Sequence, residues 1–329
     1  MTYKIAIIGA GLSGVTLARL IKKNFTVDIF EKSRGVGGRM STRKELSFVF
    51  DHGAQYFNTK TSEFRKFIIK SCFKKTIQPW KFKLAFFNGD KLENLKVISD
   101  KDKFLVGVPN MDSIIKFLSK KCNIVLNTRI DKITKIKNKW ILVDHNKKNY
   151  GQYDWIVLTM PAEQTFSIIP KNVSFYSSIQ NIKMKGCFSL MVGSETNLKL
   201  DFDAANFKEK DISWMVVNGS KPQRKENFSL LINSSFQYTK KNINTPETKI
   251  LNHLLKESSN VLNYDLSNSK LIKLHKWKYV EAINHPIEDF FIDFNKQIAV
   301  CGDWCVNSRV EGAFTSAKEL SSVILRLVR

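Results

Sequence analysis

The stretch Lys4-Ile5-Ala6-Ile7-Ile8-Gly9-Ala10-Gly11-Leu12-Ser13-Gly14 decides how the first part of the chain folds. Ile5 to Ile8 is a short β-branched run of the kind that forms a buried parallel strand. Gly9 then turns the chain tightly, Gly11 leaves room for a diphosphate, and Gly14 lets the following helix pack closely on the strand. Leu17, Ala18 and Ile21 follow Gly14 at i+3, i+4 and i+7 and continue one apolar face. The helix opening at Leu12 and Ser13 therefore points its N-terminus at bound negative charge.

A second strand, Thr26 to Phe30, ends at Glu31-Lys32. A carboxylate there accepts hydrogen bonds from both hydroxyls of an adenosine ribose and repels a 2′-phosphate, which disfavours NADP at this site. Glycine turns between strands and helices also occur without ligands, so the strand, helix and acid in register carry the argument. Gly37-Gly38-Arg39-Met40 extends it. A Gly-Gly-Arg element shortly after the ribose acid resembles that of flavoproteins of the amine oxidase and glutathione reductase superfamily. There the arginine approaches the pyrophosphate, so the resemblance implies FAD.

The chain has 329 residues, 43% of them hydrophobic, enough for one large core or two moderate ones. Its five cysteines, Cys72, Cys122, Cys187, Cys301 and Cys305, form no CxxC motif or disulfide framework, and reduced thiols in a cytoplasmic enzyme are expected. No spacing of His and Cys suggests a metal. The apolar run from Ile5 to Ile21 carries phosphate-loop glycines and lacks a basic n-region, so neither a signal peptide nor a membrane segment is expected. The net charge of +23 invites a nucleic-acid reading. The lysines are nevertheless spread through every segment, which reads as a solvated basic surface without a specific nucleic-acid partner.

No linker or repeat divides the chain, so the expected domains are interleaved. The fold class is α/β: a Rossmann-like FAD-binding domain (1–75, 105–162 and 293–329) interleaved with an α+β substrate domain (76–104 and 163–292) containing an antiparallel sheet. After Phe48-Val49-Phe50, the turn Gly53-Ala54-Gln55-Tyr56 can pass close to a flat ring. A helix is expected over about 62–75, and another opening at Val108-Pro109-Asn110-Met111 with Asn110 as its cap. By analogy with the fold, the backbone around Arg129 and Ile130 meets the adenine. A final strand, Gln297 to Cys301, leads through Gly302 and Asp303 to a last helix starting just after Arg309-Val310-Glu311-Gly312. In such flavoproteins an acid at the position of Asp303 accepts a ribityl hydroxyl. The helix end near Gly312 and Ala313 stabilises negative charge at the flavin pyrimidine edge.

Taken together these segments resemble the renalase family, and its bacterial branch in particular. The likeness runs through Asp51-His52-Gly53-Ala54-Gln55-Tyr56-Phe57, Asp154 to Pro161, Ser220-Lys221-Pro222, His275-Lys276-Trp277, Cys301-Gly302-Asp303-Trp304-Cys305 and Arg309-Val310-Glu311-Gly312-Ala313. The resemblance implies a fold of the p-hydroxybenzoate hydroxylase and amine oxidase type with non-covalent FAD. It further implies oxidation of 2- and 6-dihydro isomers of NAD(P)H, with O2 becoming hydrogen peroxide. Gln55, Tyr56, Trp277 and Trp304 are then expected around the flavin's reacting face, with Lys276 available to an anionic dinucleotide. Val280-Glu281-Ala282 departs from the Ala-Arg-Pro of bacterial relatives and reverses a local charge. Two other readings stay open: a flavin amine oxidase, for which this basic chain is a poor collector of cations, and a non-catalytic or nucleic-acid-associated flavoprotein.

Overall fold

The computed structural model describes residues 3–72, 76–99, 104–196, 198–224 and 227–328. The first strand, Lys4–Ile8, sits inside a six-stranded sheet, with Thr26–Phe30 and then Asn123–Val125 on one side. Trp155–Leu158, Ile298–Cys301 and Phe290–Asp293 follow on the other. All neighbours are parallel except the edge strand Phe290–Asp293. Ile5, Ala6 and Ile7 are wholly buried, as expected of a parallel strand covered on both faces. The helices Leu12–Ile21 and Val310–Ile324 pack on one face, bringing the two ends of the chain together.

An antiparallel sheet of seven strands forms the second layer. It runs from Leu271–Ala282 through Met184–Ser194, Phe228–Ser234, Ile212–Val217, Ala204–Lys208 and Phe82–Asn88 to Lys91–Ile98. Only Ala204–Lys208 and Phe82–Asn88 pair in parallel. The excursion at 82–98 thus joins the strands of 184–282, while Phe290 pairs back to Cys301 in the cofactor-type sheet. A three-stranded meander, Ile130–Ile136, Lys139–Asp144 and Asn149–Tyr153, completes the first layer. Its third strand, Asn-Tyr-Gly-Gln-Tyr, is mostly exposed and carries little apolar pattern to announce it.

Two expected boundaries move. The helix expected from Asn110 spans Ser113–Ser119 and follows Asp112, because the Met111 N–H is taken by the Asp51 carboxylate (3.0 Å). Asn110 instead accepts the Ser113 N–H through its carbonyl (3.1 Å). The last helix begins at Val310, so Val310, Glu311 and Gly312 form its first turn, with Arg309 before them. The helix expected over 62–75 spans Ser62–Cys72, and 73–75 lie outside the described residues.

Candidate functional site: a dinucleotide crevice

Crowding and emptiness alternate along the first turn. A Cβ on Gly14 would lie 2.1 Å from the Gly9 carbonyl oxygen, so a side chain there would push the helix off the strand. Gly9 has φ +112° and donates its N–H to Phe30 O (2.8 Å). Beside Gly11, a Cβ would meet nothing within 4 Å. Gly11 is also the helix N-cap and offers no side chain to the first amides, which leaves them free for an anion. This gap over uncapped amides fits the diphosphate of a dinucleotide.

The remaining walls close on that gap. Gly38 lies against it, its Cβ direction meeting Gly11 Cα at 3.5 Å, while Gly37 donates its N–H to Ala10 O (3.0 Å). Met40 is buried beneath. The Ser13 hydroxyl donates to Ala313 O (3.0 Å), tying the first helix to the start of the last. Glu31 is buried and accepts the Ala10 N–H at Oε2 (2.8 Å) and the Ser33 N–H at Oε1 (2.9 Å). Each oxygen retains a lone pair for a ribose hydroxyl. Thr128 donates its N–H to Glu31 O (2.8 Å), which sets the Arg129–Ile130 backbone beside Glu31. Arg129 itself pairs with Asp131, and the Lys32 side chain is exposed.

Arg39 and Asp303, expected at the pyrophosphate and the ribityl chain, hold each other. Arg39 Nη1 reaches Asp303 Oδ2 at 2.8 Å and Nη2 reaches Oδ1 at 2.5 Å, while Nη1 also donates to Val280 O (2.7 Å). The pair joins the Gly-Gly-Arg loop, the Gly302–Asp303 turn and the long strand Leu271–Ala282. The neighbouring Glu281 is absorbed by Lys185 (2.5 Å), which accounts for a carboxylate at this departure from the family pattern. Gly53 also needs its missing side chain, since a Cβ would sit 2.0 Å from Arg39 O. Ala54 donates its N–H to that same oxygen (2.8 Å).

The five residues expected to meet substrate separate. Tyr56 is half-buried among Phe104, Trp214 and Trp80, with ring centroids 4.6, 6.2 and 6.5 Å away. Burial raises its phenol above the ordinary range, and the Arg309 charge opposes this. Trp277 donates its indole N–H to His52 O (2.9 Å) and packs on His52 and His275. Gln55 is turned inward, its amide donating to Gly53 O (3.0 Å) and Asp51 O and accepting from Lys221. Lys276 does not join them: along a strand it faces away from Trp277, and its ammonium donates to Ile243 O. Trp304 is fully buried in the core against Phe291, its N–H held by Met160 O (2.9 Å). Trp304→Phe is expected to cost about 1 kcal/mol of stability from that lost bond and to leave substrate affinity unchanged, as chemical denaturation and titration would measure.

Beneath Gln55 lies a buried charge cluster that sequence reasoning missed. Asp51 Oδ2 accepts from Lys221 Nζ (3.2 Å) and Arg224 Nη2 (2.6 Å), with all three side chains 0–1% exposed. Thr42 Oγ1 (2.7 Å) and the Met111 N–H saturate the other carboxylate oxygen. Burial alone would raise the Asp51 carboxyl, yet Lys221 and Arg224 hold it down at about 2. Burial likewise pushes the Lys221 ammonium down to about 8, against the pull of Asp51. The folded protein therefore sheds the Lys221 proton near pH 8, while the unfolded chain keeps it to about 10.5. Stability contributed by this group rises with pH between those values. Lys221→Met should remove the rise, as denaturation midpoints taken across that range would read. Glu311 was also missed as an anchor: it accepts from Lys60 N (2.6 Å), Thr61 N (2.7 Å) and the Thr61 hydroxyl (2.5 Å). No local spacing announces either set, because the partners lie 170 and 250 residues apart.

Known proteins resemble this chain in sequence and fold. Residues 7–69 match the model of an NAD(P)-binding Rossmann-like domain. Renalase of Mus musculus is 21% identical, the match covering 99% of each chain. A provisionally named protoporphyrinogen oxidase from Exiguobacterium sp. 255-15 superposes with TM-score 0.79 at 10% identity, covering 98% of this chain and 99% of that one. Cyclohexylamine oxidase from Brevibacterium oxydans IH-35A gives TM-score 0.74 at 10% identity over the whole of both chains. The chain is thus similar to renalase along its length, matches an NAD(P)-binding Rossmann-like domain over residues 7–69, and shares the fold of these oxidases.

Proposed function

We propose that the protein is an FAD-dependent oxidase that converts 2- and 6-dihydro isomers of NAD(P)H to NAD(P)+. The observation that carries the flavin reading is the empty space over Gly11, walled by Gly38, Glu31 and the start of the last helix. FAD held here would supply a two-electron acceptor for the donor's hydride, and the electron pair, with a proton from water, would pass to O2 as hydrogen peroxide. The first-turn amides would hold its diphosphate, Glu31 its ribose hydroxyls and the Gly53–Gln55 turn its ring.

A dihydronicotinamide is already electron-rich, so the protein's part is to hold that ring at near-attack distance, and no general base is needed. Trp277 and Tyr56 are the aromatic surfaces for this, and similarity to renalase is what favours this donor. Non-covalent FAD is supported by Cys301 and Cys305, whose thiols are buried and pushed well up by burial, so they are poor nucleophiles. Segments 1–75, 105–162 and 293–329 make the cofactor domain in this reading, with the seven-stranded sheet carrying the substrate domain.

Peroxide release under air separates this from an amine oxidase. Turnover of 6-dihydro-NAD with none of putrescine or cyclohexylamine is the expected result, and turnover of the amines alone would overturn the assignment.

A further inference from the structure

The seven-stranded sheet ends at the strand Lys91–Ile98, and among the described residues no strand pairs with its outer edge. Its inner neighbour, Phe82–Asn88, is covered on both faces: Phe82 and Leu84 enter one core, Ala85 and Phe87 another. The outer strand is bare on both, with every residue from Lys91 to Val97 exposed. Such an edge offers a row of backbone N–H and C=O groups to a further strand.

The ladder steps from the pair Phe86–Asn94 to the pair Phe87–Leu92, so Glu93 is the extra residue of a bulge. The bulge turns Leu92 onto the face that carries Leu95 and Val97, the residues opposite Ala85 and Lys83. Leu92, Leu95 and Val97 then form one apolar stripe, 47, 43 and 70% exposed. Glu93 is drawn toward the hairpin turn by Asn88 Nδ2 (3.0 Å), which leaves Asn94 to Ile98 as regular strand.

A second copy of the chain fits this edge in one register. Two identical edge strands related by a two-fold axis normal to the sheet run antiparallel and cross where one residue meets itself. Crossing at Glu93 or at Lys96 sets like charges directly opposite each other, which is unfavourable. Crossing at Asn94 sets Leu95 against Glu93, and crossing at Val97 runs past the strand end at Ile98. Crossing at Leu95 sets leucine on leucine and Lys96 opposite Asn94, while Val97 meets the bulge whose Leu92 shares its face. The stripes of the two copies then merge into one. Lysines and bulges usually blunt an edge, but here the bulge completes the stripe and the lysine lies opposite an amide.

We propose that the Lys91–Ile98 edge docks a second copy of the chain, the two strands pairing antiparallel about Leu95 and joining the two seven-stranded sheets. Wild-type protein at about 100 µM should sediment as a dimer. Leu95→Lys sets two cations in contact and should raise the dimer dissociation constant about tenfold or more, with circular dichroism and the thermal midpoint in dilute solution retained. Mild oxidation reads the register. Cα atoms directly opposite in an antiparallel ladder lie about 4.5–5.5 Å apart, within disulfide reach. Leu95→Cys should therefore give a linked dimer, above the background that wild-type thiols give under the same oxidation, and Val97→Cys should not. If Leu95→Lys fails to fold, this cross-linking decides the matter. A wild type that stays monomeric at that concentration, a dimer that Leu95→Lys leaves intact, assemblies larger than two, or linking by Val97→Cys in preference to Leu95→Cys would overturn the proposal.

Discussion

Asp51→Ala should lower the free energy of unfolding by about 3–5 kcal/mol, because it strands two cations in the interior. Lys221 and Arg224 share the Asp51 carboxylate, and neither side chain reaches solvent. The Arg224 guanidinium keeps carbonyl partners at Gly107 (2.9 Å) and Pro222 (3.2 Å), so the larger loss falls on Lys221. Lys221 would retain only Gln55 Oε1 (3.0 Å) and Asn218 Oδ1 (3.2 Å). Asp51→Asn preserves the size of the side chain and removes the charge, and should lose most of the same stability. Urea unfolding at neutral pH reads both, and a loss under about 1 kcal/mol, the scale of an exposed pair, would contradict the cluster. In acid, the depressed Asp51 pKa contributes stability that is full above its ordinary value of 3.8 and fades as pH falls through about 2. Asp51 also anchors the turn that carries Gln55, so flavin binding should weaken together with stability.

Gly11→Leu is expected to abolish FAD uptake while the fold survives. The Gly11 backbone, at φ −78° and ψ −174°, is open to any residue, and its Cβ direction is empty. A leucine there enters the space assigned to the diphosphate. Affinity for FAD should fall at least 100-fold, about 2.7 kcal/mol, in a fluorescence titration of apoprotein, with the thermal midpoint of the apoprotein unmoved. Gly14→Val supplies the contrast, since its side chain drives into the Gly9 carbonyl and the apoprotein itself should destabilise. Equal FAD binding by Gly11→Leu and wild type would place the cofactor elsewhere.

The difference between these two sites explains what could be read from sequence. The phosphate turn is local: strand, glycines, helix and acid lie within about thirty residues, and backbone sterics assign each a role. Thr26–Phe30 likewise ends where its β-branched and aromatic run ends. The charge cluster is tertiary, with Asp51 and Lys221 meeting across two layers, and nothing in either neighbourhood signals the other. Residue type also failed to sort the tryptophans, since Trp277 is half-buried against His52 and His275 and Trp304 fills a core for reasons set by packing alone. Lys276 was legible in principle. Strand alternation through His275-Lys276-Trp277 puts the lysine on the face opposite the two aromatic rings. The early start assigned to the helix after Asn110 failed because a distant carboxylate, Asp51, takes the Met111 amide.

In the function proposed above, this crevice holds FAD against a misplaced dihydronicotinamide. Anaerobic mixing of the FAD-loaded protein with 2-dihydro-NAD, 6-dihydro-NAD and ordinary NADH, followed through the visible flavin absorbance, tests it most directly. Fast bleaching by the 2- or 6-dihydro forms and slow bleaching by ordinary NADH is the expected result. A protein that stays colourless after incubation with FAD, or a flavin that no nicotinamide isomer reduces, would contradict it.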